Sequence, residues 1–311
     1  MPTGRDIQID AALSAFALAY KTTGYIADII CPRVQVEQDS GKYYIFGSES
    51  MKTYKTVRAQ KSQPNLMKGT ISSDSYVCAP HSLGEIIDEK DRKAAPFNLR
   101  ENTVQGIIDA MMLDWEVEVK TAACLAANYA SSSFYTTLTG SDQFNSGTGP
   151  DLEKLIDDAA KVVRDGCGIS PNTLIIPWDV AMVMKRLSQI QEQRKNVTDL
   201  TQQSGLPPTL WGYRTLIAGA QYDSANDGQT KSFANVWSDT MILCYLNPNT
   251  SWNSMAWLKN FAVGNGLYVA AEMLPKHIAP FNAELIEVYD DGRQAKAVGT
   301  SSAYMWQDCL A

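Results

Sequence analysis

A stretch of chain that cannot furnish its own core constrains this sequence most. Residues 24–92 open with a compact apolar motif, Gly24-Tyr25-Ile26-Ala27-Asp28-Ile29-Ile30-Cys31-Pro32-Arg33-Val34. A long polar excursion follows. Between Lys42 and Lys68 it carries six basic residues (Lys42, Lys52, Lys55, Arg58, Lys61 and Lys68) against one acid, Glu49, with no regular apolar pattern. Its flanks, Lys42–Phe46 and Ser75–Ala79, alternate in strand fashion. A structureless loop of that length inside a compact domain is either functional or disordered. The third possibility is a two-stranded arm. An isolated hairpin is marginal in water, so such an arm needs another copy of the protein to lie on.

The 311 residues allow one large or two ordinary domains, and 45% hydrophobic with 20% charged residues is the make-up of an ordered globular protein. A net charge of −7 argues against a dedicated nucleic-acid reader, whose footprint is a basic face. The six cysteines (Cys31, Cys78, Cys124, Cys167, Cys244, Cys309) contain no CxxC pair. They point to buried free thiols of a protein made in a reducing cytoplasm, not to zinc or redox chemistry. The polar start Met1-Pro2-Thr3-Gly4-Arg5-Asp6 has no signal-peptide character, and no run approaches the roughly 20 apolar residues of a membrane span. No membrane partner is expected.

Leu13, Phe16, Ala17 and Tyr20 recur at helical spacing before the Gly24 turn. A long helix is expected from Leu99 to Asn128, N-capped by Asn98 with Glu101 completing a capping-box-like arrangement. Val104, Ile107, Ile108, Met111, Trp115, Val119, Ala122 and Ala126 form its apolar stripe, and Asp109, Asp114, Glu116 and Glu118 its acidic face. Leu152–Arg164 reads as a second helix, with acids first, bases last and a glycine stop. Thr173–Ile176 is a buried strand, followed by a helix near Trp178–Leu187. Strands then follow at Tyr213–Ile217, Phe233–Trp237, Met241–Leu246, Met255–Leu258, Leu267–Ala271 and Glu284–Tyr289, with a turn at Asp290-Asp291-Gly292 and a last strand near Ala295–Val298. Helices and strands mix without a βαβ rhythm, which makes the fold class α+β.

The residues assemble no recognisable active site. His81 and His277, the two histidines, have no metal-ligand spacing, and no nucleophile elbow, phosphate loop or HExxH helix occurs. Gly264-Asn265-Gly266 lacks the third glycine of a dinucleotide fingerprint and reads as a turn between strands. Glu85–Arg92 interleaves acids and bases, the mark of a solvated or inter-subunit charge knot. No catalytic residue, metal or cofactor is expected.

Gly24–Val36 with Gly41-Lys42-Tyr43-Tyr44-Ile45-Phe46 resembles the opening of tailed-phage major capsid proteins of the lambda capsid-protein-E type. Later stretches are similar in the same order: Ile86-Ile87-Asp88-Glu89-Lys90, Pro171–Ile176, Leu210-Trp211-Gly212-Tyr213 with Ala218–Tyr222, Val236-Trp237-Ser238-Asp239, and Ala303-Tyr304. The resemblance implies a Hong Kong 97-type capsid fold. It implies an N-terminal arm (1–36), an E-loop hairpin (37–80), a P-domain (81–171) with spine helix 98–128, an A-domain (172–281) and P-domain return strands (282–311). It further implies pentamers and hexamers that close an icosahedral shell around double-stranded DNA, in the virion capsid. A scaffold protein, a portal and a possible decoration protein would be partners, the scaffold being separate because little chain precedes Gly24. No E-loop crosslink is expected.

Charge then suggests how copies meet. The basic arm would lie across the long helix of a neighbour, with Lys42, Lys52, Lys55, Arg58, Lys61 and Lys68 facing Glu101, Asp109, Asp114, Glu116 and Glu118. Tyr43, Tyr44, Ile45, Phe46 and Tyr54 would supply the buried area. Packaged DNA would touch an acidic subunit only weakly and non-specifically. An encapsulin-like compartment shares the implied fold, and a soluble two-domain hydrolase is the reading from a different class.

Overall fold

The computed structural model describes residues 24–46, 53–58, 60–66, 71–96, 98–146, 149–195, 205–225, 229–247, 249–252, 254–264, 266–273 and 282–311. The expected helix around Leu13–Tyr20, together with Lys52, Lys68, His277 and the side chain of Phe46, lies outside them.

The chain begins with α1 (Ala27–Ile30), β1 (Arg33–Val36), the hairpin of β2 (Ser40–Phe46) and β3 (Ile71–Val77), and β4 (Ala79–Asp88). Helices α2 (Glu89–Ala94) and α3 (Leu99–Cys124) follow, then β5 (Tyr135–Thr137), α4 (Leu152–Cys167), β6 (Thr173–Pro177), α5 (Trp178–Met184) and α6 (Ser188–Lys195). The remainder is strand: β7 (Thr209–Leu210), β8 (Tyr213–Ala218), β9 (Gln221–Asp223), β10 (Phe233–Asn235), β11 (Met241–Cys244), β12 (Leu258–Val263), β13 (Leu267–Met273), β14 (Ala283–Ala297) and β15 (Ala303–Gln307).

Two sheets share one long helix. The first is built on β14, with β12 and β13 end to end along one edge, β4 along the other and β1 in parallel outside β12. The second runs β5-β15-β11-β6-β8-β7. At 1.5 Å per residue the 26 residues of α3 span about 39 Å. Its first half packs Val104, Ile107, Ile108 and Met111 on Val269, Ile286 and Val288 of the first sheet. Its second half sends Trp115, Val119 and Ala123 into a core with Ile175, Ile242 and Met305 of the second. Strand β6 is buried on both faces, because Leu174 and Ile176 meet α4 and α5 in a separate cluster. That explains its unbroken apolar run.

Helix α4 follows its sequence closely. The Asp151 side chain accepts from the Lys154 N–H, and Gly168 closes the helix at φ 74°. Two residues before that stop, Gly166 has no room to grow: a Cβ there would sit 2.5 Å from the Phe134 ring. Gly166→Ala should therefore lower stability by about 1–3 kcal/mol through overpacking, despite alanine's better helix propensity. Denaturant unfolding measures it.

Several expectations are corrected. Helix α3 stops at Cys124 instead of Asn128, because the Asn128 amide and the Tyr129 hydroxyl donate to the Ala122 and Ala123 carbonyls and end the helix. Asn98 occupies the N-cap position but makes no side-chain cap bond. The strand expected at Met255–Leu258 starts only at Leu258. Asp290-Asp291-Gly292 is no turn: β14 runs through it, with a register shift against β4 between Asp290 and Arg293. Glycine suits this position, since a Cβ would lie a tight 3.1 Å from that of Cys78. Sheet membership also cuts across the boundaries expected at 172–281 and 282–311. β12 and β13 belong with β4 and β14, whereas β15 returns to the second sheet.

Candidate assembly surface

Period-two alternation builds the root of the arm. β2 and β3 pair antiparallel from Ser40↔Val77 to Phe46↔Ile71, so Tyr43 and Tyr44 point to opposite faces. Tyr43 is buried, with its ring 5.0 Å from that of Phe261, while Tyr44 is 59% exposed. Tyr76 stacks on Phe261 at 4.9 Å, and Trp252 closes the group at 5.9 Å from both. Gly41 makes this possible, since a Cβ there would fall 2.7 Å from the Tyr76 hydroxyl. Polar bonds fasten the same root to β14. The Val77 N–H donates to Gln294 Oε1 at 2.9 Å, and the Lys296 ammonium donates to the Ser75 carbonyl.

Lys296 also pairs with Asp74 at 3.0 Å, and Asp74 accepts from the Tyr43 hydroxyl. The lysine, followed by the Ser75 N–H, holds the Asp74 carboxyl below its usual value, and burial pushes the Tyr43 phenol up. A lowered folded pKa adds stability that is complete above the ordinary carboxylate value of about 3.9 and is lost as pH falls through the folded one. Asp74 is half exposed, so Asp74→Asn should cost at most about 1 kcal/mol at neutral pH and nothing in strong acid. Unfolding curves at several pH values check this.

Beyond its root the described part of the arm is open to solvent. Every described residue of 53–58 and 60–66 is exposed, including Val57 at 90% and Leu66 at 84%. Arg58 donates to the Ser62 carbonyl, the Asn65 amide donates to the Lys55 carbonyl, and Lys61 takes a left-handed φ of 66°. Among the described residues no carboxylate forms an ion pair with Lys55, Arg58 or Lys61. Lys42 and Tyr54 are exposed as well.

The acidic face of α3 is only partly available. Glu116 is wholly buried: it accepts from the Ile26 and Ala27 N–H groups at 3.1 and 2.8 Å and from the Trp237 indole at 2.6 Å. The assignment of Glu116 to a neighbour's arm is therefore corrected. It anchors the Gly24–Val34 motif to the middle of the helix, assisted by the Trp115 indole on Asp28. Asp114 and Glu118 both bind Arg293 of β14, whose guanidinium lies 5.0 Å over the Trp115 ring. Asp114 stays largely open to solvent and Glu101 is exposed, while Asp109 is half-buried. Tyr43 is corrected likewise, because its ring is spent within its own chain. In the charge knot, Arg92 and Arg100 both hold Glu284, and Lys93 pairs with Glu89.

Tyr76, Trp252, Phe261 and Arg293 were not foreseen as determinants of this surface. Alternation in β3 marks Tyr76 as facing one side, but no local pattern says what lies opposite. Among the described residues no group of three His, Cys, Asp or Glu side chains is placed to hold a metal, and no helix is long and apolar enough to cross a membrane.

This mixed arrangement of helices and sheets matches solved phage capsid subunits and is the Hong Kong 97-type α+β fold. The chain is related to proteins named as phage major capsid proteins. That of Burkholderia phage BcepMu is 27% identical over 240 residues, 76% of either chain. A solved phage-related protein from Bordetella bronchiseptica superimposes with a TM-score of 0.73 over 97% of both chains at 21% identity. A subunit of the capsid of cyanophage P-SCSP1u does so with a TM-score of 0.65, over 93% of this chain and 89% of that one, at 10% identity. No family model matches the chain.

Proposed function

We propose that this protein is the major capsid protein of a tailed phage, a structural subunit that closes an icosahedral shell around double-stranded DNA. One observation carries the reading: the arm is rooted on its own chain, and its described residues beyond the root are exposed. Apolar groups such as Val57 and Leu66, next to unpaired basic charge, fit a surface supplied by another copy. The subunits form pentamers and hexamers, with the arm lying over the exposed acids of a neighbour's α3, Glu101 and Asp114, beside the half-buried Asp109, and over the adjoining sheet. The first sheet with α3 serves as the P-domain and the second sheet with α4 and α5 as the A-domain. Residues 1–36 form the N-terminal arm and 37–80 the E-loop. The chain catalyses nothing, is made in the bacterial cytoplasm and ends in the virion. A scaffold protein and a portal are its partners in the particle, and its acidic balance lets DNA slide.

Light scattering on the purified protein tests this. Megadalton particles with closed shells in negative stain are expected, and a stable monomer or small oligomer under all assembly conditions would contradict it.

A further inference from the structure

Lys259 is a charge in an unusual place. It lies in β12 two residues from Phe261, hence on the same strand face, and only 1% of it is exposed. Among the described residues no carboxylate comes within ion-pair distance. The ammonium donates instead to two main-chain carbonyls, those of Ser251 at 3.0 Å and Trp252 at 3.1 Å. Burial holds its pKa below the ordinary lysine value. A buried charge without a counter-charge opposes folding, and an apolar chain of the same length would fill the space without that cost.

What the charge does is hold a turn. Within residues 251–254, the Ser251 N–H donates to the Ser254 hydroxyl at 2.7 Å, and that hydroxyl donates to the Ser251 carbonyl at 3.0 Å. The Ser251 carbonyl thus takes both the turn's own hydroxyl and the lysine. Trp252 stands on this turn, with its ring against Tyr76 and Phe261. Tyr76 is the foot of β3, so the lysine, the turn, the indole and the arm form one unbroken series of contacts.

We infer that Lys259 is a latch that sets the direction in which the arm leaves the body, by pinning the Ser251–Trp252 turn over the arm root. Without it the core beneath β12 stays intact, but the indole no longer has a fixed height above Tyr76 and the arm swings. The consequence for shell closure rests on the capsid reading above; the latch itself does not.

Hydrogen exchange followed by mass spectrometry on the full chain tests the latch, comparing wild type with Lys259→Met. Exchange in peptides covering 249–254 and 73–78 should quicken at least tenfold, while peptides of α3 keep their wild-type rate. Unchanged exchange at 73–78 in a folded Lys259→Met protein would overturn the inference. Should that variant fail to fold, Trp252→Ala decides, since its side chain is partly exposed and the buried charge is left in place. It should quicken 73–78 to the same extent, and wild-type exchange there would equally overturn the latch. A wild-type protein that forms no shells would defeat the capsid reading and leave this comparison standing. If it does form them, Lys259→Met should yield at least tenfold fewer closed particles.

Discussion

Replacing Glu116 by leucine should cost the subunit about 3–5 kcal/mol and leave the Gly24–Val34 motif detached from α3. The side chain fills the same space, so the loss is that of an acceptor. Three donors, two of them main-chain N–H groups at the start of α1, lose their partner in a site closed to water. Each such orphan costs about 1–3 kcal/mol, and neighbouring losses do not add in full. Glu116→Gln keeps one carbonyl oxygen but turns an amide NH2 toward the remaining donors, so it should fall between wild type and leucine. Denaturant unfolding ranks the three. The pH dependence has a definite sign. Burial raises the Glu116 carboxyl pKa, against the pull of its three donors. A raised folded pKa favours the folded state in acid. The wild type should therefore gain on Glu116→Gln as pH falls from neutral, stop gaining below the ordinary glutamate value of about 4.3, and lose that gain as pH rises again.

The triple variant Lys55→Glu, Arg58→Glu, Lys61→Glu should leave stability within about 0.5 kcal/mol of wild type and abolish closed shells. All three residues are exposed on the arm tip, where substitutions touch no packed group. In the proposed contact with a neighbour's α3, the reversal replaces attraction by repulsion. One exposed pair is worth only about 0–1 kcal/mol, but three reversals recur at every contact around a ring. Because a Debye length is about 8 Å at physiological salt, raising the salt should restore part of the assembly. Thermal unfolding and electron microscopy of the same preparation separate the two effects. Normal particles from the variant would remove charge from the account and leave Tyr44, Val57 and Leu66 to carry the contact.

Much of this was legible in the sequence because it is written locally. The stripe from Val104 to Val119 gave the long helix, the acids before the bases and a glycine stop gave α4, and the alternation of Lys42–Phe46 gave a strand. What stayed hidden depends on residues distant along the chain. Glu116 reads as one more acid on a polar face until Ile26, Ala27 and Trp237 are brought to it. Asp290-Asp291-Gly292 has the composition of a turn, and only the close approach of Cys78 shows why a strand carries a glycine there. Tyr43 looked available to a neighbour because Phe261 and Tyr76, its actual partners, lie in other segments. The resemblance placed the segments in order, yet the return of β15 to the second sheet, instead of to β14, is a matter of pairing that no single segment encodes.

An electron-microscopy reconstruction of the assembled particle, at a resolution that traces residues 53–66, tests the central claim most directly. Density for those residues should run along an adjacent subunit, with Val57 and Leu66 covered and Lys55, Arg58 and Lys61 beside its carboxylates. Density that turns back and packs on the chain it belongs to, with no neighbour in reach, would contradict the account.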